Sequence, residues 1–143
     1  MDTFALSLLP AAAEAGLDTT TVSRNLPLFR RDVGRRATTL AVVRCTERNH
    51  LVRSGLVLLI TRQRLVVTRR TKLLHRVLPH LSAGLSELSD VTWSPNPGQL
   101  RIDLQFRLRG REHHLRVRPG PGQLGRLEAT FEVALGGRIP RQR

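Results

Sequence analysis

The sequence predicts a mainly β domain of about seven short strands followed by one helix. Three observations support this fold class. An apolar run from Gly55 breaks at the polar residues 61–64 and resumes as a second, β-branched run that ends at Arg70. Farther along, apolar residues alternate with polar ones between Leu100 and Leu108. The last apolar residues then recur with a helical period, which predicts a helix that covers an antiparallel sheet.

The composition bounds the size and the class of the protein. A chain of 143 residues fits one domain with its own core. Aromatic residues make up only 3% of the chain, so Leu, Val and Ile must form most of that core. The formal net charge of +13 predicts attraction to polyanions. Every basic residue except Lys72 is an arginine, however, and a GC-rich genome would impose the same bias, so both explanations stay open.

The sequence predicts neither an export signal at its start nor a membrane-spanning helix. Asp2 precedes the first apolar stretch, and Pro10 and Glu14 interrupt it, which does not fit a signal peptide. The longest apolar run elsewhere, 56–60, is far shorter than the roughly 20 residues of a membrane-spanning helix. We therefore expect a cytoplasmic protein, with peripheral attachment to the inner membrane surface as an alternative.

Residues 1–36 are predicted to be an N-terminal arm with one short helix, partly disordered elsewhere. Pro10 near the start and Gly16 at the end delimit this helix. The segment 18–21 is predicted to be a loop or a second helix cap. Five arginines fall between Arg24 and Arg36 without a sustained apolar period, which is typical of a solvated segment.

Residues 37–136 are predicted to hold the strands and the capping helix. The first five strands are expected at 38–43, 55–60, 65–68, 77–81 and 91–93. Pro79 marks the fourth strand as an edge strand or the site of a bulge. One helical turn or a bend is expected at 85–90, and the Pro-rich segment 94–98 is a strong turn signal.

The second half of this region predicts a hairpin and then a helix. The alternating segment 100–108 is typical of a half-buried strand. A reversal at Arg109–Arg111 leads to a partner strand that contains Leu115 and Val117. Apolar residues at spacings of three and four then define one helix stripe before Gly136, namely Leu124, Leu127, Phe131 and Leu135. Residues 137–143 form a basic tail.

Two of these features together resemble a known family. The segment Gly55–Thr61, followed at once by Arg64–Val67, is similar to the second and third strands of bacterial pleckstrin-homology-like (PH-like) and GRAM-related domains. The later bend, hairpin and terminal helix occur in the same order, so the resemblance covers about 37–135. It implies a seven-stranded antiparallel β-barrel or sandwich with a C-terminal capping helix, whose members bind lipids, peptides or proteins and are seldom enzymes.

The basic residues of the first predicted hairpin depart from the pattern of eukaryotic phosphoinositide binders. Those domains place a lysine and closely spaced basic residues there. Here Arg44, Arg48 and Arg53 are spread more widely, and no lysine accompanies them. The resemblance therefore implies a binding fold without pointing to a phosphoinositide.

Two groups of basic residues are candidate sites. The first lies in the connection after the third strand, where arginine could grip phosphate or carboxylate through paired hydrogen bonds; it comprises Arg69, Arg70, Lys72 and Arg76. The second is the outer face of the terminal hairpin, which comprises Arg101, Arg107, Arg109, Arg116 and Arg118. That face lacks the interleaved aromatic residues that stack on bases. A solvated turn and a solvated strand face are the plain alternatives.

The sequence offers no metal, cofactor or catalytic motif. His113 and His114 are adjacent on a strand and therefore point to opposite faces, so they cannot chelate one ion together. Cys45 has no histidine beside it in sequence. Glycines 120, 122 and 125 lack the Lys-Ser or Lys-Thr of a phosphate loop and are predicted to be a linker.

These observations predict a non-enzymatic binding or scaffolding module. We expect it to recognise a protein partner or an anionic membrane or phosphate surface. A basic nucleic-acid-binding protein is the alternative function, and the two differ in whether affinity for duplex DNA falls steeply with salt.

Overall fold

Seven antiparallel strands and three helices make up the protein. The structure, a computed structural model, describes residues 2–48, 55–71 and 76–136. The helices are α1 (Thr3–Glu14), α2 (Thr19–Val33) and α3 (Leu124–Ala134). The strands are β1 (Thr39–Glu47), β2 (Leu56–Thr61), β3 (Arg64–Arg70), β4 (Val77–Gly84), β5 (Ser89–Asn96), β6 (Arg101–Leu108) and β7 (Arg111–Arg118). Short 3-10 turns at Leu85–Glu87 and Pro97–Gln99 precede β5 and β6, respectively.

The strands form one sheet in the order β4-β3-β2-β1-β7-β6-β5. This confirms the prediction of a seven-stranded antiparallel sheet with a C-terminal helix. The sheet is not closed into a barrel, because β4 and β5 form its two ends and no backbone pairing joins them among the described residues. The 3-10 turn at Leu85–Glu87 lies between these two strands in the chain.

The inner face of the sheet surrounds the larger of two hydrophobic cores. Alternate residues of all seven strands enter it, from Ala83 near the end of β4 to Trp93 in β5. Helix α3 covers this core with Leu127 and Phe131. The ring of Phe131 meets Trp93 edge to face at 5.5 Å between ring centres, and the Trp93 indole N–H donates to the carbonyl of Gly136 at 2.6 Å. The predicted helix and its stripe are thus confirmed.

The outer face of β1, β2 and β3 is also buried. Val42, Val57, Leu59 and Val66 point away from the inner core and pack against α1 and α2. Every residue of β2 is therefore buried. This double burial explains why the 56–60 run is continuously apolar rather than alternating.

The N-terminal region differs from the prediction of one short helix, because it contains two helices that pack on the sheet. Helix α1 begins at Thr3 and runs through Pro10, and its residues Phe4, Leu8 and Ala12 are buried at a spacing of four. Helix α2 covers most of the segment that was predicted to be solvated. Packing on the outer face supplies the stability that the local sequence lacks. The division of the chain at residue 36 stays a prediction.

Helix α2 begins at the second cap that the sequence indicated. The carboxylate of Asp18 accepts a hydrogen bond from the backbone N–H of Thr21 at 2.7 Å. The buried residues of α2 are Val22, Asn25 and Phe29, which lie on one helix face. Arg30 binds Asp2, the N-cap of α1, at 2.6 Å, so the two helices are also paired through charge.

The edge strand β4 contains a bulge next to Pro79, as the sequence indicated. Val67 pairs with Leu81 and Thr68 pairs with Pro79, which leaves His80 as the extra residue. A bulge redirects the side chain of the extra residue. The side chain of His80 reaches Glu47 of β1, although two strands separate β4 from β1 in the ladder.

The linker between β7 and α3 holds the N-terminal helices to the sheet. Gln123 is 3% exposed, and its side chain accepts from the backbone N–H of Gly120 at 2.8 Å and donates to the carbonyl of Val42 at 3.3 Å. Arg126 forms an ion pair with Glu14 at 3.0 Å. Gly120 approaches the end of α1 so closely that a Cβ there would lie 2.6 Å from the carbonyl oxygen of Glu14.

We expect Gly120→Ala to destabilise the protein by about 1–3 kcal/mol, because the added methyl must displace backbone atoms of Glu14 and Ala15. Gly125→Ala is the matched control. No atom lies within 4 Å of the corresponding Cβ position, and alanine favours the helix, so this variant should be stabilised by roughly 0.5–1 kcal/mol. Urea unfolding measures both, and equal stability of the two variants would contradict the close contact.

Candidate anion-binding site

A cavity of about 320 Å³ lies between α2 and one end of the strands β1, β2, β3 and β7. Five arginines line it: Arg24, Arg44, Arg69, Arg70 and Arg118. Among the described residues, none of these five forms an ion pair with a carboxylate at 4.0 Å or less. The cavity therefore gathers positive charge that has no close ion-pair partner among the described residues.

Strand pairing explains why these arginines converge. Arg44 of β1 is directly opposite Arg118 of β7, and Arg69 of β3 is opposite Leu56 of β2. Like charges directly opposite each other across two strands destabilise a sheet. The pairing of Arg44 with Arg118 thus works against the stability of the sheet.

A buried polar contact fixes α2 against β3 at the floor of the cavity. The hydroxyl of Thr68 donates to the side-chain oxygen of Asn25, and both residues are at most 4% exposed. The Asn25 amide N–H donates to the carbonyl of Thr21 at 2.8 Å. This contact positions α2 so that Arg24, the neighbour of Asn25, reaches the same cavity as the β3 arginines.

The positive charge of the cavity affects the carboxylate of Asp18. Hydrogen bonds from the side chain and backbone of Thr21 hold the pKa of Asp18 below its usual value, and the nearby Arg44 and Arg70 lower it further. Asp18 caps α2 rather than lining the cavity. It partly offsets the positive charge at one side.

Only part of the first candidate group, which was predicted in the connection after the third strand, lies at the cavity. Arg69 and Arg70 are the last two residues of β3 and line the cavity. Lys72 lies outside the described residues. The carbonyl of Arg76 accepts a hydrogen bond from the backbone N–H of Thr71 at 2.8 Å, and the backbone N–H of Arg76 donates to the Thr71 hydroxyl at 3.3 Å. Arg76 does not line the cavity.

Sequence analysis missed Arg24 and Arg44 as members of one site. Arg24 was assigned to a solvated arm because Pro27 and the arginines obscure the apolar face of α2. Arg44 was placed just after the first predicted strand, 38–43, whereas β1 continues to Glu47. The alternation of side chains along the strand could have placed Arg44, since Val42, Arg44 and Thr46 share one face of β1.

The second basic group, on the terminal hairpin, is largely compensated by nearby carboxylates. Arg101 and Arg116 lie 3.5 and 4.0 Å from Asp103. Arg107 contacts Glu112 at 3.2 Å, and Arg109 contacts Glu87 at 3.6 Å. The remaining member, Arg118, belongs to the cavity instead. These contacts favour an ordinary solvated strand face for the hairpin.

The carboxylate of Glu47, the last residue of β1, contacts two histidines. Its carboxylate oxygens lie 2.5 Å from Nε2 of His80 and 2.8 Å from Nδ1 of His113, and all three side chains are less than 20% exposed. Burial raises the pKa of Glu47, but the hydrogen bonds and charges of the two histidines outweigh it, so the pKa is below its usual value. The ring of Phe106 stacks on His113.

The described residues contain no group of three or more His, Cys, Asp or Glu side chains placed to hold a metal ion. His113 faces Glu47, whereas His114 faces Gln105 and Asp103, as expected for neighbours on a strand. Cys45 is buried, and burial raises the pKa of its thiol far above the range of a reactive thiolate. In the part of the chain that the structure describes, no helix is long and apolar enough to cross a membrane.

Comparison with known proteins gives a likeness of fold. No family model matches the chain, and no curated protein matches it either. Among solved structures, the hSac2 domain of the human phosphoinositide phosphatase Sac2 matches with a TM-score of 0.50 and 15% identity, over 87% of this chain and 90% of that one. At this identity the likeness concerns the fold alone.

Other solved structures match at slightly lower scores. The C-terminal domain of an unknown protein from Leishmania infantum has a TM-score of 0.48 at 14% identity, over 75% of this chain and 94% of that one. A structure of the exchange factor Vav1 with its PH and C1 domains has a TM-score of 0.47 at 12% identity. That match covers 95% of this chain and 38% of the Vav1 chain.

We expect Glu47→Gln to lower the free energy of unfolding by on the order of 1–3 kcal/mol at pH 7, because the variant loses two charge-assisted hydrogen bonds. The contribution of Glu47 is present above its ordinary pKa of 4.5 and disappears as the pH falls through the lower value in the folded protein. Wild type and variant should therefore converge below about pH 4.5.

Urea unfolding between pH 3 and pH 7 measures this convergence. Glu112→Gln is the control, since that carboxylate is 81% exposed and its contact with Arg107 is exposed too. A difference between wild type and Glu47→Gln that stays constant over the whole pH range would show that the carboxylate does not act through its charge.

Proposed function

We propose that this chain is a non-enzymatic binding module that recognises an anionic ligand through the five-arginine cavity. The ligand belongs to a protein partner or to an anionic membrane or phosphate surface. The observation that carries the proposal is the convergence of five arginines on one cavity with no carboxylate partner among the described residues. Arginine is suited to this role because its planar fork binds carboxylate or phosphate through two hydrogen bonds.

The fold fits this role. In the proposal the sheet is the PH-like barrel or sandwich that the sequence resembles, and the cavity lies on the outer side of the sheet beside α2. The protein would act in the cytoplasm and attach to the inner membrane surface only when its ligand is there. In the proposal, Arg69 and Arg70 are the contributors from the end of β3, with Lys72 and Arg76 in the adjoining connection.

A nucleic-acid-binding function is less well supported. All five aromatic residues of the chain are buried, namely Phe4, Phe29, Trp93, Phe106 and Phe131. None is exposed to stack on a base, which is how proteins hold single strands. The hairpin arginines that a nucleic acid would contact are mostly engaged by carboxylates.

We expect the double variant Arg44→Gln/Arg118→Gln to bind a fluorescent dextran sulfate about tenfold more weakly than wild type at 50 mM salt, because two neighbouring charges of the cavity are lost. Arg107→Gln/Arg109→Gln removes the same net charge from the hairpin and should leave affinity nearly unchanged. Fluorescence anisotropy gives the affinities. Equal weakening in both double variants would mean that only the overall charge attracts the polyanion, and it would overturn the proposal.

A further inference from the structure

We infer that the ligand of the five-arginine cavity is an acidic peptide segment of a partner protein, with an apolar side chain next to its carboxylates. This inference rests on the proposed function and makes it specific. The cavity combines two kinds of surface. Guanidinium groups surround it, while Leu56, Val57 and Val77 form an apolar part of its wall. A ligand with both charge and an apolar group complements both kinds of surface.

The size of the cavity fits a short segment of chain. At about 320 Å³ it lies at the low end of the roughly 300–1,000 Å³ that ligand pockets span. Recognition of acidic motifs by arginine clusters is an established way of binding peptides. A peptide can place carboxylates at Arg44 and Arg118 while one apolar side chain enters between α2 and Val77.

The protein itself already places a carboxylate beside this cavity. Asp18 lies close enough to Arg44 and Arg70 for both to lower its pKa. In the inference, its negative charge opposes the binding of an acidic ligand at these two arginines. Arg24, Arg69 and Arg118 have no such neighbour assigned among the described residues and remain available for a partner.

The described surface favours a peptide over a bilayer. The large apolar side chains that are most exposed are Leu6, Leu9, Leu100 and Val133. None of them lines the cavity, so among the described residues no exposed large apolar side chain accompanies the arginines for insertion into lipid. Of the apolar residues in the cavity wall, Leu56 and Val57 are buried and Val77 is partly exposed, so Val77 offers the apolar contact to a side chain of a partner.

Two labelled peptides test the inference. Glu-Glu-Leu-Glu-Glu-Leu carries charge and apolar groups, and Glu-Glu-Ser-Glu-Glu-Ser carries the same charge without them. We expect the leucine peptide to bind about 3- to 10-fold more tightly to the wild-type protein, because its apolar side chains are partly buried. Val77→Ser should weaken binding of the leucine peptide more than binding of the serine peptide, because it removes part of the apolar wall. Equal binding of the two peptides would overturn the inference.

Asp18→Asn supplies an independent test in the opposite direction. Asparagine caps a helix as well as aspartate does, so α2 should be retained while the competing charge is removed. We expect the leucine peptide to bind about 2- to 5-fold more tightly to this variant. Unchanged or weaker binding, with thermal unfolding unaltered, would contradict a site in which Asp18 competes with the ligand. Arg24→Gln, on the exposed side of α2, should weaken binding even if Arg44→Gln/Arg118→Gln fails to fold.

Further ligands distinguish failure of the inference from failure of the proposed function. Vesicles of phosphatidylcholine with and without phosphatidylserine, and inorganic pyrophosphate, are offered to the same variants. Cavity-dependent binding to anionic vesicles or pyrophosphate, without binding of the leucine peptide, overturns the inference and retains an anion site. No cavity-dependent binding to the peptides, vesicles, pyrophosphate or dextran sulfate overturns both.

Discussion

Burial of the central strands on both faces is the constraint on which the rest of the structure depends. β1, β2 and β3 send alternate side chains into two separate cores, one under α3 and one under α1 and α2. A sheet that is apolar on both sides must be covered on both sides. The two layers are linked through Gln123, which reaches the backbone of β1 from the start of α3. The N-terminal helices are therefore part of the same packed unit as the sheet.

The strands could be predicted from the sequence because their side-chain patterns are local. Continuous apolar runs give β2 and β3, and strict alternation gives β6. Helix α2 could not be predicted in this way, since Pro27 and several arginines mask its apolar face. Its stability comes from residues far away in sequence, such as Val57 and Val66. The extent of β1 was underestimated for a similar reason, because an exposed Arg44 within a strand looks like the end of one.

The residues of the candidate site were likewise predictable only where the pattern is local in sequence. Arg69 and Arg70 were found because they are adjacent and end a recognisable strand. Arg24, Arg44 and Arg118 come from three other elements, and only the pairing of β1 with β7 and the packing of α2 bring them together. The pairing of Arg44 with Arg118 also breaks the rule that like charges avoid each other across strands. Such local conflicts in an otherwise consistent fold are expected where a protein binds something.

The contacts of Glu47 have a consequence for the edge of the sheet. Among the described residues, β4 pairs through its backbone with β3 alone, and its bulge leaves His80 out of register. The contact of His80 with Glu47 joins β4 to β1 through side chains, past the two strands that lie between them. His113 of β7 contacts the same carboxylate from the other side of β1. One acidic side chain thus ties an edge strand to the middle of the sheet.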